Sequence, residues 1–225
     1  MKYIHTRKDD PRPVNNMALW ADTTENVLYR WGGELAADDT FGRDDAALWK
    51  FVPKGDGTGS WTVADRSSGF KSIIQAANGT AATCGQKAFY LGGYGSASTD
   101  YRLSDLSSDT NALPLPGLVS YDMAEGGWIN ETAVTASSPN GVHLNGRAVC
   151  PSEFSDNGVV VLVGGLSTSA ASVLEDVEMS SMRNISFYDP TDETWYWQIA
   201  TGDVPQPRQH HCAVGVQGRN DTYEM

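Results

Sequence analysis

Residues 27–34 read VLYRWGGE, a short and mostly apolar run that stops at two adjacent glycines with a carboxylate behind them. The same ending recurs in AFYLGGY (88–94) and VVVLVGGL (159–166). Gly32-Gly33, Gly92-Gly93 and Gly164-Gly165 therefore lie 60 (92 − 32) and 72 (164 − 92) residues apart. Self-similarity at such a period marks a repeat architecture and governs the reading of the whole chain.

Each pair is preceded by another strand candidate: NMALWAD (16–22), GTAATCG (79–85) and GRAVCP (146–151). A third follows after a gap, in ALWKF (47–51), GLVSYD (117–122) and NISFYD (184–189). A tryptophan-marked fourth closes the unit, in SWTV (60–63), GWINET (127–132) and TWYWQIA (194–200). Tyr121 to Trp128 and Tyr188 to Trp195 are both intervals of 7 (128 − 121 and 195 − 188), while Phe51 to Trp61 is looser. Short alternating runs separated by turn residues predict antiparallel meanders of four strands. LEDVEMSSM (174–182) could supply a helical turn or two. One four-stranded sheet cannot cover both of its faces, but sheets stacked radially can, which is the propeller arrangement. Glycine suits a sharp strand end that needs positive φ or close backbone approach. A phosphate-binding role for the pairs is disfavoured, because no helix start follows them.

Composition agrees with an all-β domain. The chain has 225 residues, 40% hydrophobic, with Gly 23, Pro 10, Trp 7, Tyr 9 and Phe 6. That is too apolar for disorder, and its aromatic content favours strands. The formal charge of −12 argues against a nucleic-acid backbone or an anionic membrane surface as partner. No run approaches a membrane span, so direct membrane insertion is not expected. MKYIHTRKDDPRPVNN lacks the apolar segment of a signal peptide. Cys84, Cys150 and Cys212 are 66 and 62 residues apart. They track the repeat and are expected as buried free thiols on equivalent strands.

The Gly-Gly, Tyr and Trp pattern resembles the kelch repeat. PQPRQHHCAVGV (205–216) is similar to the opening strand of a further repeat, with Arg208 and His211 where kelch repeats often carry an Arg and a following His. LYRWGGE, SYDMAEGGW, FYDPTDETWY, ATGDVPQPR and GRNDTYE resemble the fungal group of kelch and galactose-oxidase-type propellers. The resemblance covers about residues 16 to 225 and implies an all-β kelch-type propeller of four-stranded antiparallel blades. The expected division is 1–15 as linker, 16–65, 77–133 and 142–201 as three blades, and 205–225 as the opening of a fourth. Kelch rings usually have six or seven blades, so the chain reads as a fragment or truncated gene product.

Chemistry is sparse. His210 and His211 are neighbours on a predicted strand and would point to opposite faces, so they cannot share an ion. Galactose oxidases hold copper with two Tyr and two His, and no stretch here matches those motifs. No GxSxG elbow occurs, and catalysis by His211 with Cys212 is disfavoured for the same geometric reason. Neither a catalytic residue nor a cofactor is expected.

The segments after each Gly-Gly, 34–47, 94–117 and 166–184, are long for hairpin loops. Equivalent loops in repeat folds emerge on one face, often the binding face. They carry Glu34, Asp38, Asp39, Asp44, Asp45, Asp100, Asp105, Asp109, Glu175, Asp176 and Glu178 against Arg43, Arg102 and Arg183. Either these are ordinary solvated loops, or they form an acidic docking face for a cationic partner or Ca²⁺, the latter without an EF-hand pattern. Asn78, Asn130, Asn184 and Asn220 head N-glycosylation sequons. The expected function is a non-enzymatic interaction or cell-surface scaffold with an unidentified protein or carbohydrate partner. The competing expectation is part of a carbohydrate-acting oxidase whose catalytic residues lie elsewhere. The resemblance places a full-length relative outside the cell or on its surface.

Overall fold

The computed structural model describes residues 10–36, 41–65, 67–107, 110–131, 142–168, 177–219 and 222–225. They form an all-β chain built on three successive four-stranded antiparallel sheets. The first contains β1 (Ala18–Asp22), β2 (Val27–Trp31), β3 (Leu48–Pro53) and β4 (Gly59–Asp65), in that order. A five-residue helix α1 (Ser68–Ser72), capped by the Ser67 hydroxyl, leads to the second. This contains β5 (Thr80–Cys84) and β6 (Lys87–Leu91), then a small ribbon of β7 (Tyr94–Gly95) and β8 (Leu113–Pro114), then β9 (Leu118–Asp122) and β10 (Trp128–Glu131). Next come β11 (Val142–Leu144) and β12 (Arg147–Val149), β13 (Val160–Val163), β14 (Leu166–Thr168), β15 (Glu178–Met179), β16 (Asn184–Asp189) and β17 (Thr194–Ile199). The third sheet runs β12-β13-β16-β17, with β11-β14-β15 beside it. β18 (Val216–Gln217) and β19 (Tyr223–Glu224) form a last ribbon.

The alternation of side chains along each strand decides how the sheets stack. On β6, Ala88 and Tyr90 join the core shared with the first sheet, among Trp20, Tyr29, Trp31 and Leu48. Phe89 and Leu91 point the other way, into a core with Val160, Leu162 and Tyr188 of the third sheet. β13 repeats the split, with Val161 turned away to meet Ile185, Phe187, Ala213 and Tyr223. Each sheet thus has two apolar faces and needs a neighbour on both.

The seven-residue Tyr-to-Trp interval is a cross-strand pair. Tyr121 lies opposite Trp128 and Tyr188 opposite Trp195, with ring centroids 4.7 and 5.2 Å apart. Phe51 and Trp61 make the same pair at 5.1 Å across a longer turn. Such pairs add to the stability of antiparallel strands beyond simple burial. The aspartate after each Tyr closes the hairpin: Asp122 Oδ1 accepts from the amides of Ala124 and Glu125, and Asp189 Oδ1 from that of Thr191.

The Gly-Gly pairs join the units. Gly33 N–H donates to Ala76 O (2.8 Å), Gly93 N–H to His143 O (2.9 Å) and Gly165 N–H to Arg208 O (2.7 Å). In every case the acceptor belongs to the chain entering the next unit. The first glycine of each pair lies against that same carbonyl. A Cβ at Gly32, Gly92 or Gly164 would sit 2.3, 2.1 or 2.5 Å from it, and all six glycines have positive φ.

A second row of contacts runs beside the first. Asn16, Asn78, Asn145 and His210, two residues after each entering position, all have left-handed φ (55, 61, 55 and 50°). Asn78 N–H donates to Asn16 O, Asn145 N–H to Asn78 O and His210 N–H to Asn145 O. Asparagine tolerates this conformation better than other non-glycine residues.

Three expectations are corrected. Cys84 and Cys150 are not free thiols but a disulfide between the second and third units. Cys84 ends β5 and Cys150 directly follows β12, the equivalent edge strands of neighbouring sheets, with Cα atoms 5.5 Å apart, within disulfide range. Closing a loop of this length contributes about 4 kcal/mol in the chain-entropy model. Cys212 is free and exposed. Residues 205–215 form no strand, and the β18–β19 ribbon begins only at Val216. His210 and His211 therefore do not alternate on a strand. In LEDVEMSSM, Glu178 and Met179 are strand rather than helix, drawn into the ladder by the edge of β14, and 174–176 lie outside the described residues.

Substituting Gly92 separates steric from conformational cost. Gly92→Ala should lose roughly 3–5 kcal/mol, combining positive φ with collision against His143 O. Gly85→Ala, also at positive φ but with nothing within 4 Å, should lose only about 1 kcal/mol. Urea unfolding of both variants checks this, and equal losses would contradict it.

Candidate functional site

The segments that follow the glycine pairs start side by side. Leu35 N–H donates to Ser98 O and Phe41 N–H to Ala97 O, both at 2.9 Å, tying 34–47 to 94–117. Leu166 and Tyr94 pack against one cluster of Ala112, Val142 and Leu144, bringing the start of 166–184 near the second segment.

Beneath them lies a polar cluster on the left-handed row. The Glu34 carboxylate accepts from Asn16 Nδ2 (2.8 Å), Asn78 Nδ2 (3.3 Å) and Tyr94 OH (2.5 Å), and Asn78 Nδ2 also donates to Tyr94 OH (3.0 Å). Further along, Asn145 Nδ2 donates to Gln209 Oε1. A cleft of about 180 Å³ opens over the row, lined by Asn16, Asn78, Asn145, Arg147 and His210. Asn78 stood out in the sequence only as a sequon and Asn16 and Asn145 not at all, although two of the three precede glycine in Asn78-Gly79 and Asn145-Gly146. An Asn-Gly step is a mark of left-handed backbone.

The acidic residues divide. Glu34 is held in that cluster. Asp45 faces Arg12 at 3.1 Å and accepts from Gly42 N–H. Asp100 is fully buried: its Oδ1 accepts from Arg102 N and Nε, and its Oδ2 from Gln75 N and Arg102 Nη2. The hydrogen bond and charge of Asp100 in turn raise the Arg102 pKa. These three carboxylates are each engaged by other groups of this chain. Asp105 and Glu178 are exposed. Asp44 sits in a 3-10 turn, Arg43–Asp45. Asp38, Asp39, Asp109, Glu175 and Asp176 lie outside the described residues.

Of the sequon asparagines, Asn130 and Asn184 are exposed on β10 and β16. The Asn78 amide nitrogen is engaged as above, so a glycan there would break the cluster. Asn220 lies outside the described residues. Among the described residues no three His, Cys, Asp or Glu side chains converge as metal ligands would. No helix among them is long and apolar enough to cross a membrane.

No family model matches the chain, and no curated protein matches it by sequence. Its fold is similar to the solved structure of YjhT. The match has a TM-score of 0.53 and 14% identity, and covers 94% of this chain and 61% of that one. This chain thus spans less than two thirds of that neighbour.

His143 links three parts of this region. Its carbonyl receives Gly93 N–H, and its buried ring bridges Thr80 Oγ1 and Gly164 O, each at 2.9 Å. A carbonyl only accepts, so Nε2 carries the proton and Nδ1 accepts from the Thr80 hydroxyl. Burial pushes this imidazole below its ordinary value, partly offset by the bond to Gly164. The folded state therefore holds it neutral while the unfolded chain protonates near pH 6.5. Its stabilising contribution is full above that pH and falls as pH drops through it, by at most about 1.4 kcal/mol per pH unit. Unfolding measured at pH 7.5 and 5 should show a drop that His143→Gln reduces. An unchanged pH dependence in the variant would contradict the assignment.

Proposed function

We propose that the chain is part of a kelch-type β-propeller that acts as a non-enzymatic recognition module. Its segments after the glycine pairs form the surface that meets a protein or carbohydrate partner. The observation that carries this reading is the hydrogen bonding of 34–47 to 94–117, with Leu166 at the start of the third segment in the same apolar cluster as Tyr94 and Ala112. Loops gathered on a rigid repeat scaffold are the usual place for binding.

The ring is supported by the identical joint repeated at three glycine pairs. It also calls for more sheets than the three seen. The outer face of the first sheet carries Leu19, Leu28 and Val63, exposed at 50%, 37% and 42%, in line with Phe51 and Trp61. An apolar face of this kind is normally covered. The Cys84–Cys150 disulfide fits an oxidising compartment, outside the cell or on its surface.

Secreted protein screened against arrayed glycans and cell-surface ectodomains should retain a ligand without altering it. Asp105→Ala combined with Thr110→Ala, both exposed on the second segment, should weaken that binding at least fivefold, about 1 kcal/mol. Turnover of galactose with release of hydrogen peroxide would overturn the non-enzymatic reading.

A further inference from the structure

The chain is strongly acidic, yet one recess of about 150 Å³ is lined, among the described residues, by three cations and no carboxylate. Three separate stretches build it. Arg43 comes from the turn between β2 and β3, Phe70 and Lys71 from α1, and Tyr101 and Arg102 from the 3-10 turn between β7 and β8 (Tyr101–Leu103). Gln75, on the way into β5, closes its base.

Two features point to a ligand rather than a chance cluster. The first is Gln75, which is 2% exposed and whose side-chain Nε2 has no hydrogen-bond partner. A buried donor left unpaired costs about 1–3 kcal/mol, so the site favours whatever brings it an acceptor. The second is the fixing of Arg102. Its Nε and Nη2 bind Asp100, Nη2 also donates to Ile73 O, and Nη1 donates to Lys71 O. Four of the five guanidinium hydrogens are thereby used, leaving one on Nη1. Asp100 neutralises this arginine, and Asp45, the acid nearest Arg43 in sequence with a described side chain, is occupied by Arg12. Arg43 and Lys71, both exposed, thus supply the excess positive charge at the mouth.

We propose that this recess binds a single oxyanion group, a carboxylate or a sulfate. Arg43 and Lys71 supply the attraction, Gln75 Nε2 and the remaining Arg102 Nη1 hydrogen donate to the oxygens, and Tyr101 and Phe70 form the wall. The oxyanion can arrive free or on an acidic sugar whose ring lies against Tyr101. Arg43, Tyr101 and Arg102 lie on the segments of the partner-binding reading, 34–47 and 94–117, but the recess uses neither Asp105 nor Thr110, so separate variants test the two readings.

Sulfate and glucuronate, titrated separately into the full chain at low ionic strength, distinguish the two sources. Side-chain amide resonances of Gln75 and the Nε–H of Arg102 provide the readout. Saturable one-to-one shifts are expected, with glucuronate the tighter if the ligand is an acidic sugar and sulfate at least as tight if it is a free anion. Arg43→Gln with Lys71→Gln, a surface pair that spares the core, should weaken binding at least tenfold. Gln75→Leu should do likewise, while Lys54→Gln, in the β3–β4 turn, should leave it unchanged. The proposal is overturned if neither anion shifts the Gln75 amide saturably, or if the double variant binds as tightly as the parent.

Discussion

A glycine amide and one carbonyl from the next unit recur wherever two units of this chain meet. Gly33 reaches Ala76, Gly93 reaches His143 and Gly165 reaches Arg208, at 2.7–2.9 Å. The preceding glycine has to lack a side chain, because the same carbonyl lies where a Cβ would be. This contact sets how close consecutive sheets approach and fixes the direction in which the chain leaves the second strand. The parallel row through Asn16, Asn78, Asn145 and His210 holds the same spacing two residues later. Burial of Trp20, Trp31, Tyr90 and their neighbours supplies most of the favourable free energy. That apolar contact is nondirectional, however, and the backbone joint is what gives it one geometry.

From this geometry follows the placement of everything polar. Because each second strand ends at the joint, the next residues of every unit start from equivalent places, so Glu34 and Tyr94 can meet although 60 residues separate them. The same closeness puts Cys84 beside Cys150 and lets the ring of His143 bridge Thr80 and Gly164 O. It also lets Asp100 organise a region made of three distant stretches, orienting Arg102 while accepting from Gln75 N–H.

Legibility in the sequence tracked how local each feature is. The strands and their four-fold grouping were readable because apolar alternation and turn residues act over a few positions. The Tyr121–Trp128 and Tyr188–Trp195 intervals were readable too, since a hairpin of fixed turn length fixes its cross-strand pairs. The glycine pairs announced a steric demand, although not which carbonyl imposed it. What stayed hidden depends on contacts between units. The pairing of Cys84 with Cys150 follows only when equivalent strands are known to be neighbours. The acidic reading of the loops counted Glu34, Asp45 and Asp100 as surface charge, whereas Asn16, Arg12 and Arg102 reach them through folding alone. The recess at Gln75 gathers residues 43, 71, 75 and 102, with no spacing that could mark it beforehand.

Hydrogen exchange at the three joint amides addresses the central claim most directly. If the glycine-to-carbonyl contact holds the units in register, Gly33, Gly93 and Gly165 N–H should exchange only through global unfolding. They should then match the core amides of β2, β6 and β13, while Gly85, in the β5–β6 turn, exchanges fast. Exchange of the joint amides as fast as that of Gly85, with the strand cores still protected, would show that the sheets stack without the joint and would contradict this account.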